Sequence, residues 1–194
     1  MKLLSVNRAL AREVQINGRK VRTAIGKRAA QGPVQVRRLG LEGDEQADLT
    51  VHGGLSKAVY AYPHEHYGFW QTVRAQAKVA LWDEALEFGA LGENLTIEGV
   101  TEDRLWIGDR LLVGGTPDEP ACVLAVSEPR FPCFKFTAAM GFGQAGKLMV
   151  QSGYCGAYLG VIDTGPVQAG DAITLVPGPR EVNLRELFKA RMGA

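Results

Sequence analysis

The chain of 194 residues is long enough for one well-buried domain, and its 46% apolar content is that of an ordinary globular protein. Its 22 basic and 21 acidic residues nearly cancel to a formal charge of +1, so no global field invites nucleic acid or an acidic membrane, and any basic feature must be local. The apolar run in residues 1–14 is too short for a signal peptide and is broken by Asn7 and Arg8; no segment approaches the ~20 apolar residues of a membrane span, so a soluble cytoplasmic protein is expected.

In residues 13–25 (EVQINGRKVRTAI), Asn17-Gly18 stands between two strand-like runs and predicts a hairpin with a type I′ turn. Residues 34–41 read as a strand carrying the adjacent cations Arg37 and Arg38. Successive strand residues face opposite sides, so at most one of the two reaches a given pocket. Pro63 suits the first turn of a helix running to Lys78, with Tyr67, Trp70 and Val73 on one face. Short β-rich runs follow at 95–97, 111–113, 122–126, 158–162 and 173–176. Gly108-Asp109 and Gly170-Asp171 look like turns leading into the second and last of these. Asn183 suits the cap of a terminal helix with Leu184, Leu187 and Phe188 inward. Many short strands and few helices predict a mostly-β barrel or sandwich.

Three cysteines at irregular spacing make neither a disulfide framework nor a zinc site. Cys122 lies in an apolar run and reads as core; Cys155 leans structural. Cys133 sits in residues 128–135 (EPRFPCFK), with Arg130 three residues before it and Lys135 two after. Nearby cations favour thiolate, the form that attacks or binds metal. The bland alternative is a buried cysteine in a proline-rich turn.

Residues 43–54 (GDEQADLTVHGG) are the other candidate. Asp44, Glu45 and Asp48 read either as acid/base or hard-metal groups or as turn residues. His52, Gly53 and Gly54, followed by Lys57, suit backbone N–H groups approaching an anion beside a cation, without the residue order of a P-loop. His64 and His66 point apart if helical and do not suit a shared metal. Taken alone, these residues describe a β-rich pocket protein with an anion site and one suspicious thiol.

Residues 41–60 (LEGDEQADLTVHGGLSKAVY) followed by 62–67 (YPHEHY) resemble the signature of the MOSC family (molybdenum cofactor sulfurase C-terminal domain). The similarity is closest to its stand-alone bacterial YiiM-like branch. Residues 92–96 (GENLT), 107–109 (IGD) and 129–135 (PRFPCFK) follow in the family's order, so the resemblance runs from about residue 3 to 176. It implies a mostly-β, MOSC-type β-barrel with a few short helices over residues 1–180. Residues 181–194 then form a short C-terminal helix, a reduced form of the helical extension in YiiM-like proteins.

The resemblance also implies a molybdenum-pterin cofactor, with Cys133 as catalytic residue and metal ligand. A thiolate is a soft donor suited to a metal already held by the pterin's sulfurs. His52, Gly53, Gly54 and Lys57 would lie near the pterin or its phosphate, and Asp44 and Asp48 would orient loop backbone or pterin amines. Arg130 and Lys135 would hold the anionic cofactor or steady the thiolate. The implied activity is a molybdenum-dependent oxidoreductase that reduces N-hydroxylated compounds (hydroxylaminopurines or amidoximes) to amines, a detoxification. No flavin or haem motif is visible, so electrons would come from a separate reductase. The rivals are a sulfur- or cofactor-carrier module using a Cys133 persulfide and a metal-free thiol hydrolase with His52 as base. Some MOSC domains are fused to a pyridoxal-phosphate desulfurase; nothing here replaces that cofactor's lysine, so pyridoxal phosphate is not supported.

Overall fold

The computed structural model describes residues 1–47 and 53–193. Strand β1 (Lys2–Arg8) opens the chain, and the expected hairpin follows as β2 (Arg12–Ile16) and β3 (Arg19–Thr23). Asn17 and Gly18 take φ of 50° and 76° between them, as a type I′ turn requires. After β4 (Arg28–Ala29), the strand expected over 34–41 divides. β5 (Val34–Arg37) turns at Arg38-Leu39 into β6 (Gly40–Leu41), pairing Val36 with Leu41. Both arginines are exposed, and Arg37 lies 3.7 Å from Glu42.

Strand β7 (Val59–Pro63) is buried along its whole length. Pro63 ends this strand instead of opening the helix; a 3-10 turn over His64–His66 intervenes before α1 (Tyr67–Gln76), which buries Tyr67 and Trp70. The strands expected downstream are β8 (Leu95–Glu98), β9 (Arg110–Gly115) and β10 (Pro120–Pro129). Two helices that local sequence did not signal come next, α2 (Phe134–Met140) and α3 (Ala145–Ser152). Each stops on a left-handed glycine, Gly141 and Gly153, which admits the helix-ending turn without a Cβ clash. Strands β11 (Ala157–Asp163), β12 (Gly165–Val167) and β13 (Ile173–Val176) precede α4 (Leu184–Met192). Asn183 caps α4, its Oδ1 accepting from the N–H of Arg185 at 3.0 Å and Glu186 at 3.3 Å.

The main sheet has the order β13-β9-β10-β11-β7-β8-β1-β4, with β7 and β8 parallel and the other neighbours antiparallel. Mostly-β architecture with a few helices is therefore correct, but the closed barrel is not: the sheet is open, and β4 and β13 do not pair. The reason lies in β1. Its free edge is shared, with Asn7 and Arg8 on β4, whereas residues 1–3 meet the turn before β13. That second meeting consists of Leu3 N–H to Asp171 O (2.9 Å), Gly170 N–H to Leu3 O (2.8 Å) and Ile173 N–H to Met1 O (3.0 Å). A strand so short cannot supply a full ladder to both.

Side chains on β7 alternate between two cores. Val59 and Ala61 join Leu3, Leu95, Leu111 and Leu124, and Tyr60 and Tyr62 join Trp70, Phe136, Met149 and Phe188 beneath the helices. A strand buried on both faces shows no polar alternation, which is why its sequence did not announce it. Phe188 of α4 stacks on Phe131 with ring centroids 5.8 Å apart, so the last helix is part of the aromatic core. Among the described residues no helix is long and apolar enough to cross a membrane.

Candidate functional site

Strand β10 ends at Pro129, and Arg130-Phe131-Pro132 carries the chain to Cys133, which takes an extended conformation (φ −139°, ψ 165°) immediately before α2. The half-buried Cys133 borders a cleft with about 610 Å³ of open space. Around it stand Thr23 at the end of the hairpin, Lys27 from the segment after it, Asp44 and Gln46 from the loop after β6, Asn94 just before β8, and Tyr60 and Tyr158 from the sheet. Lys57, Arg130 and Lys135 join Lys27 in a lining of four cations against two acids, Asp44 and Glu45.

Arg130 is the unusual member. It is only 5% exposed, with its guanidinium carbon 5.1 Å from the Tyr60 ring centre and 5.0 Å from that of Phe136. Its Nη2 reaches Cys133 Sγ at 3.9 Å, whereas its buried Nη1 has no hydrogen-bond partner among the described residues. Burial lowers the Arg130 pKa, but Tyr60, Tyr158 and Cys133 raise it further, so the group is always charged. A buried donor left open costs about 1–3 kcal/mol unless something accepts from it. An anion in the cleft beside the thiol would be attracted by the Arg130 charge.

Asp44 is occupied by the protein itself. Its Oδ1 accepts from the Ala9 N–H at 2.8 Å and from buried Lys27, and its Oδ2 accepts from Asn94 Nδ2 at 2.9 Å. Burial lowers the Lys27 pKa, and the Asp44 carboxylate opposes that shift. Asn94 Oδ1 in turn accepts from the Tyr60 N–H at 3.1 Å, tying the loop to β7. Glu45 accepts from the Ala11 N–H at 2.8 Å and holds the base of the hairpin.

Gln46 holds Gly54. Its Oε1 accepts from the Gly54 N–H at 3.1 Å, and its Nε2 faces the carbonyls of Leu39, Lys57 and Ala58. Gly53 and Gly54 do not border the cleft, but Lys57 does, with Nζ 3.5 Å from Glu128 and 5.8 Å from the Tyr158 ring centre. Asp48 and His52 lie outside the described residues. Of the histidines further on, His66 is buried against Glu102 at 2.6 Å and stacked on Tyr154, whereas His64 lies against Tyr67 and Phe88. Among the described residues no group of three or more His, Cys, Asp or Glu is placed to hold a metal.

Sequence reasoning missed Lys27, Asn94, Tyr60 and Tyr158. Lys27 follows a turn glycine and looks like any surface cation until its contact with Asp44 is seen. The 92–96 motif did hold a signal, because its acid supports the cleft from beneath. Glu93 is fully buried, and its Oε1 accepts from the Gly89 N–H (2.7 Å), Thr96 Oγ1 (3.0 Å) and the Tyr67 hydroxyl, while Oε2 accepts from the Leu91 N–H (3.1 Å).

Burial raises the Glu93 pKa, and the hydrogen bonds only partly oppose it. A folded-state pKa above the ordinary 4.5 means that the native state keeps its proton while the unfolded chain loses it. Glu93 therefore contributes stability that is fully present below pH 4.5 and declines as pH rises through the folded value. Glu93→Gln should flatten this part of the profile, read as the urea midpoint between pH 4 and 8. An unchanged slope would remove Glu93 as its source.

The MOSC domain family model matches residues 48–174. YflK of Bacillus subtilis (strain 168) is 38% identical over 174 residues, spanning 90% of this chain and 72% of that protein. A protein of Gibberella moniliformis named "Reductase" is 32% identical over 178 residues, spanning 90% of this chain but only 30% of its own length. The crystal structure of YiiM from Geobacillus stearothermophilus superposes with a TM-score of 0.74 at 27% identity, covering 98% of this chain and 83% of that one.

Proposed function

The chain belongs to the MOSC domain family, and on that premise we propose that it is an oxidoreductase that binds a molybdenum-pterin cofactor and reduces N-hydroxylated compounds to amines. The observation that carries the reading is Cys133 beside Arg130, a permanently charged, buried guanidinium in the cleft wall whose Nη2 lies 3.9 Å from the sulfur. A soft thiolate donor next to an anion-seeking cation fits a soft metal carried on an anionic organic group. The fungal relative's name agrees with redox chemistry.

When bound, the cofactor supplies the two-electron couple. Conversion of R–NHOH to R–NH2 and water takes two electrons and two protons, and a separate reductase delivers the electrons. Cys133 provides the metal's protein ligand. The guanidinium of Arg130 and the ammonium groups of Lys57 and Lys135 hold the cofactor's anionic parts. Asp44 orients the loop backbone and Lys27, and Gln46 positions Gly54. Tyr60 and Tyr158 keep the Arg130 side of the cleft dry, which strengthens each of these charge interactions.

Expression in a host that makes the cofactor, followed by gentle purification, should give close to one molybdenum per chain. The protein should then reduce benzamidoxime with reduced methyl viologen as donor. Absence of molybdenum, with a cofactor-retaining control protein loaded in the same host, would remove the reading. Metal without turnover of any N-hydroxylated compound would instead favour a carrier.

A further inference from the structure

A second groove, with about 930 Å³ of open space, lies between the β2–β3 hairpin and α2. It shares Thr23, Ile25, Lys27 and Lys135 with the Cys133 cleft, so the two are continuous. Val14, Ile16, Ile25 and Phe88 supply apolar wall. Its charge is one-sided, with Arg12, Lys27, Arg28 and Lys135 against a single acid, Glu87. Glu87 is taken by Arg28 at 2.6 Å and Lys27 by Asp44. Arg12 and Lys135 have no ion-pair partner among the described residues.

With Lys135 turned to the cofactor, a neutral flat molecule would cover these walls and leave Arg12 unmatched, and a small anion would match Arg12 and leave the walls bare. We propose that this groove selects the substrate, and that it favours N-hydroxylated compounds with a flat apolar body and an anionic group, phosphate or carboxylate, remote from the N-hydroxyl. The proposal rests on the reductase reading for the chemistry but not for the binding preference. Lys135 stands where groove and cleft meet, and Arg12 belongs to the groove alone. An anionic substituent reaching Arg12 therefore lies away from the reacting end.

The test is equilibrium binding of unreactive amines to the molybdenum-free protein, followed by calorimetry at low and high salt. Adenosine, adenosine 5′-monophosphate and 9-carboxymethyladenine are the probes. The phosphate compound should bind about tenfold tighter than adenosine at low salt, with the advantage shrinking as salt rises. Arg12→Ser should cut the advantage to about threefold or less and leave adenosine binding unchanged, since an exposed side chain is lost from a strand end. A gain shared by the carboxylate compound identifies any anion as sufficient, and a gain confined to the monophosphate identifies phosphate. Equal affinity for neutral and charged probes, or a preference that Arg12→Ser leaves intact, overturns the proposal. If the preference holds but N6-hydroxyadenosine 5′-monophosphate is not reduced in the viologen assay, the reductase reading fails and the groove assignment stands.

Discussion

Cys133→Ser should lower reduction of N-hydroxylated substrates by about a thousandfold or more, the scale on which single members of a reacting unit fail, while moving Tm by less than about 2 °C. Cys133 is half-buried at a helix start, and serine fits its extended backbone and similar volume. What serine lacks is a soft thiolate, so the loss should appear in molybdenum content and turnover and not in the urea midpoint. Arg130→Met makes the companion case, because it keeps most of the buried volume between Tyr60 and Phe136 but removes the charge. Alkylation of Cys133 by iodoacetamide should slow by about tenfold in that variant, the cation that favours thiolate being gone. Cys122 and Cys155 are buried, and burial raises both thiol pKa values, so they should not contribute to the signal in the folded protein. A Cys133→Ser protein with wild-type metal content and turnover would show that the thiol is not the metal's partner.

Much of this site could be read before folding, and the part that could not has a definite cause. Cys133, Arg130, Lys135, Lys57 and Asp44 all border one cleft, although they come from stretches separated by up to 91 positions. Short motifs with unusual residue chemistry carried that information. Tyr60 and Tyr158 carried none, because an aromatic on a doubly buried strand looks like core until its neighbour proves to be a guanidinium. Lys27 and Asn94 acquire meaning only through Asp44, a pairing across 17 and 50 positions that no local pattern encodes. The same limit applies to the fold. Turn chemistry marked the β2–β3 hairpin and capping chemistry marked α4, both local effects. Whether the sheet closed depended on which residues met the free edge of β1, a contact between the two ends of the chain.

Gly156→Ala should be a strongly damaging conservative change outside the cleft, costing about 3 kcal/mol and lowering Tm by about 6–12 °C. Gly156 joins α3 to β11 at φ +67°, where an L side chain is strained. An added Cβ would fall 2.6 Å from the Ala61 carbonyl oxygen, 2.7 Å from Tyr60 Cε2 and 2.8 Å from Tyr62 Cδ2. None of these can retreat easily. Ala61 is central backbone of β7, the Tyr60 hydroxyl donates to the Cys155 carbonyl at 2.8 Å, and the Tyr62 hydroxyl donates to that of Tyr154 at 3.0 Å. The Gly156 N–H is itself held by Glu102 at 2.7 Å. Gly170→Ala separates strain from contact, since that residue has φ +99° with nothing within 4 Å of an added Cβ. Equal destabilisation by the two changes would rule out close approach as the cause. If contact is the cause, the damage reaches the site as well. The ring that must move is the one lying against Arg130, so turnover should fall about tenfold at temperatures where the variant is still fully folded, the penalty of a displacement near 1 Å or less.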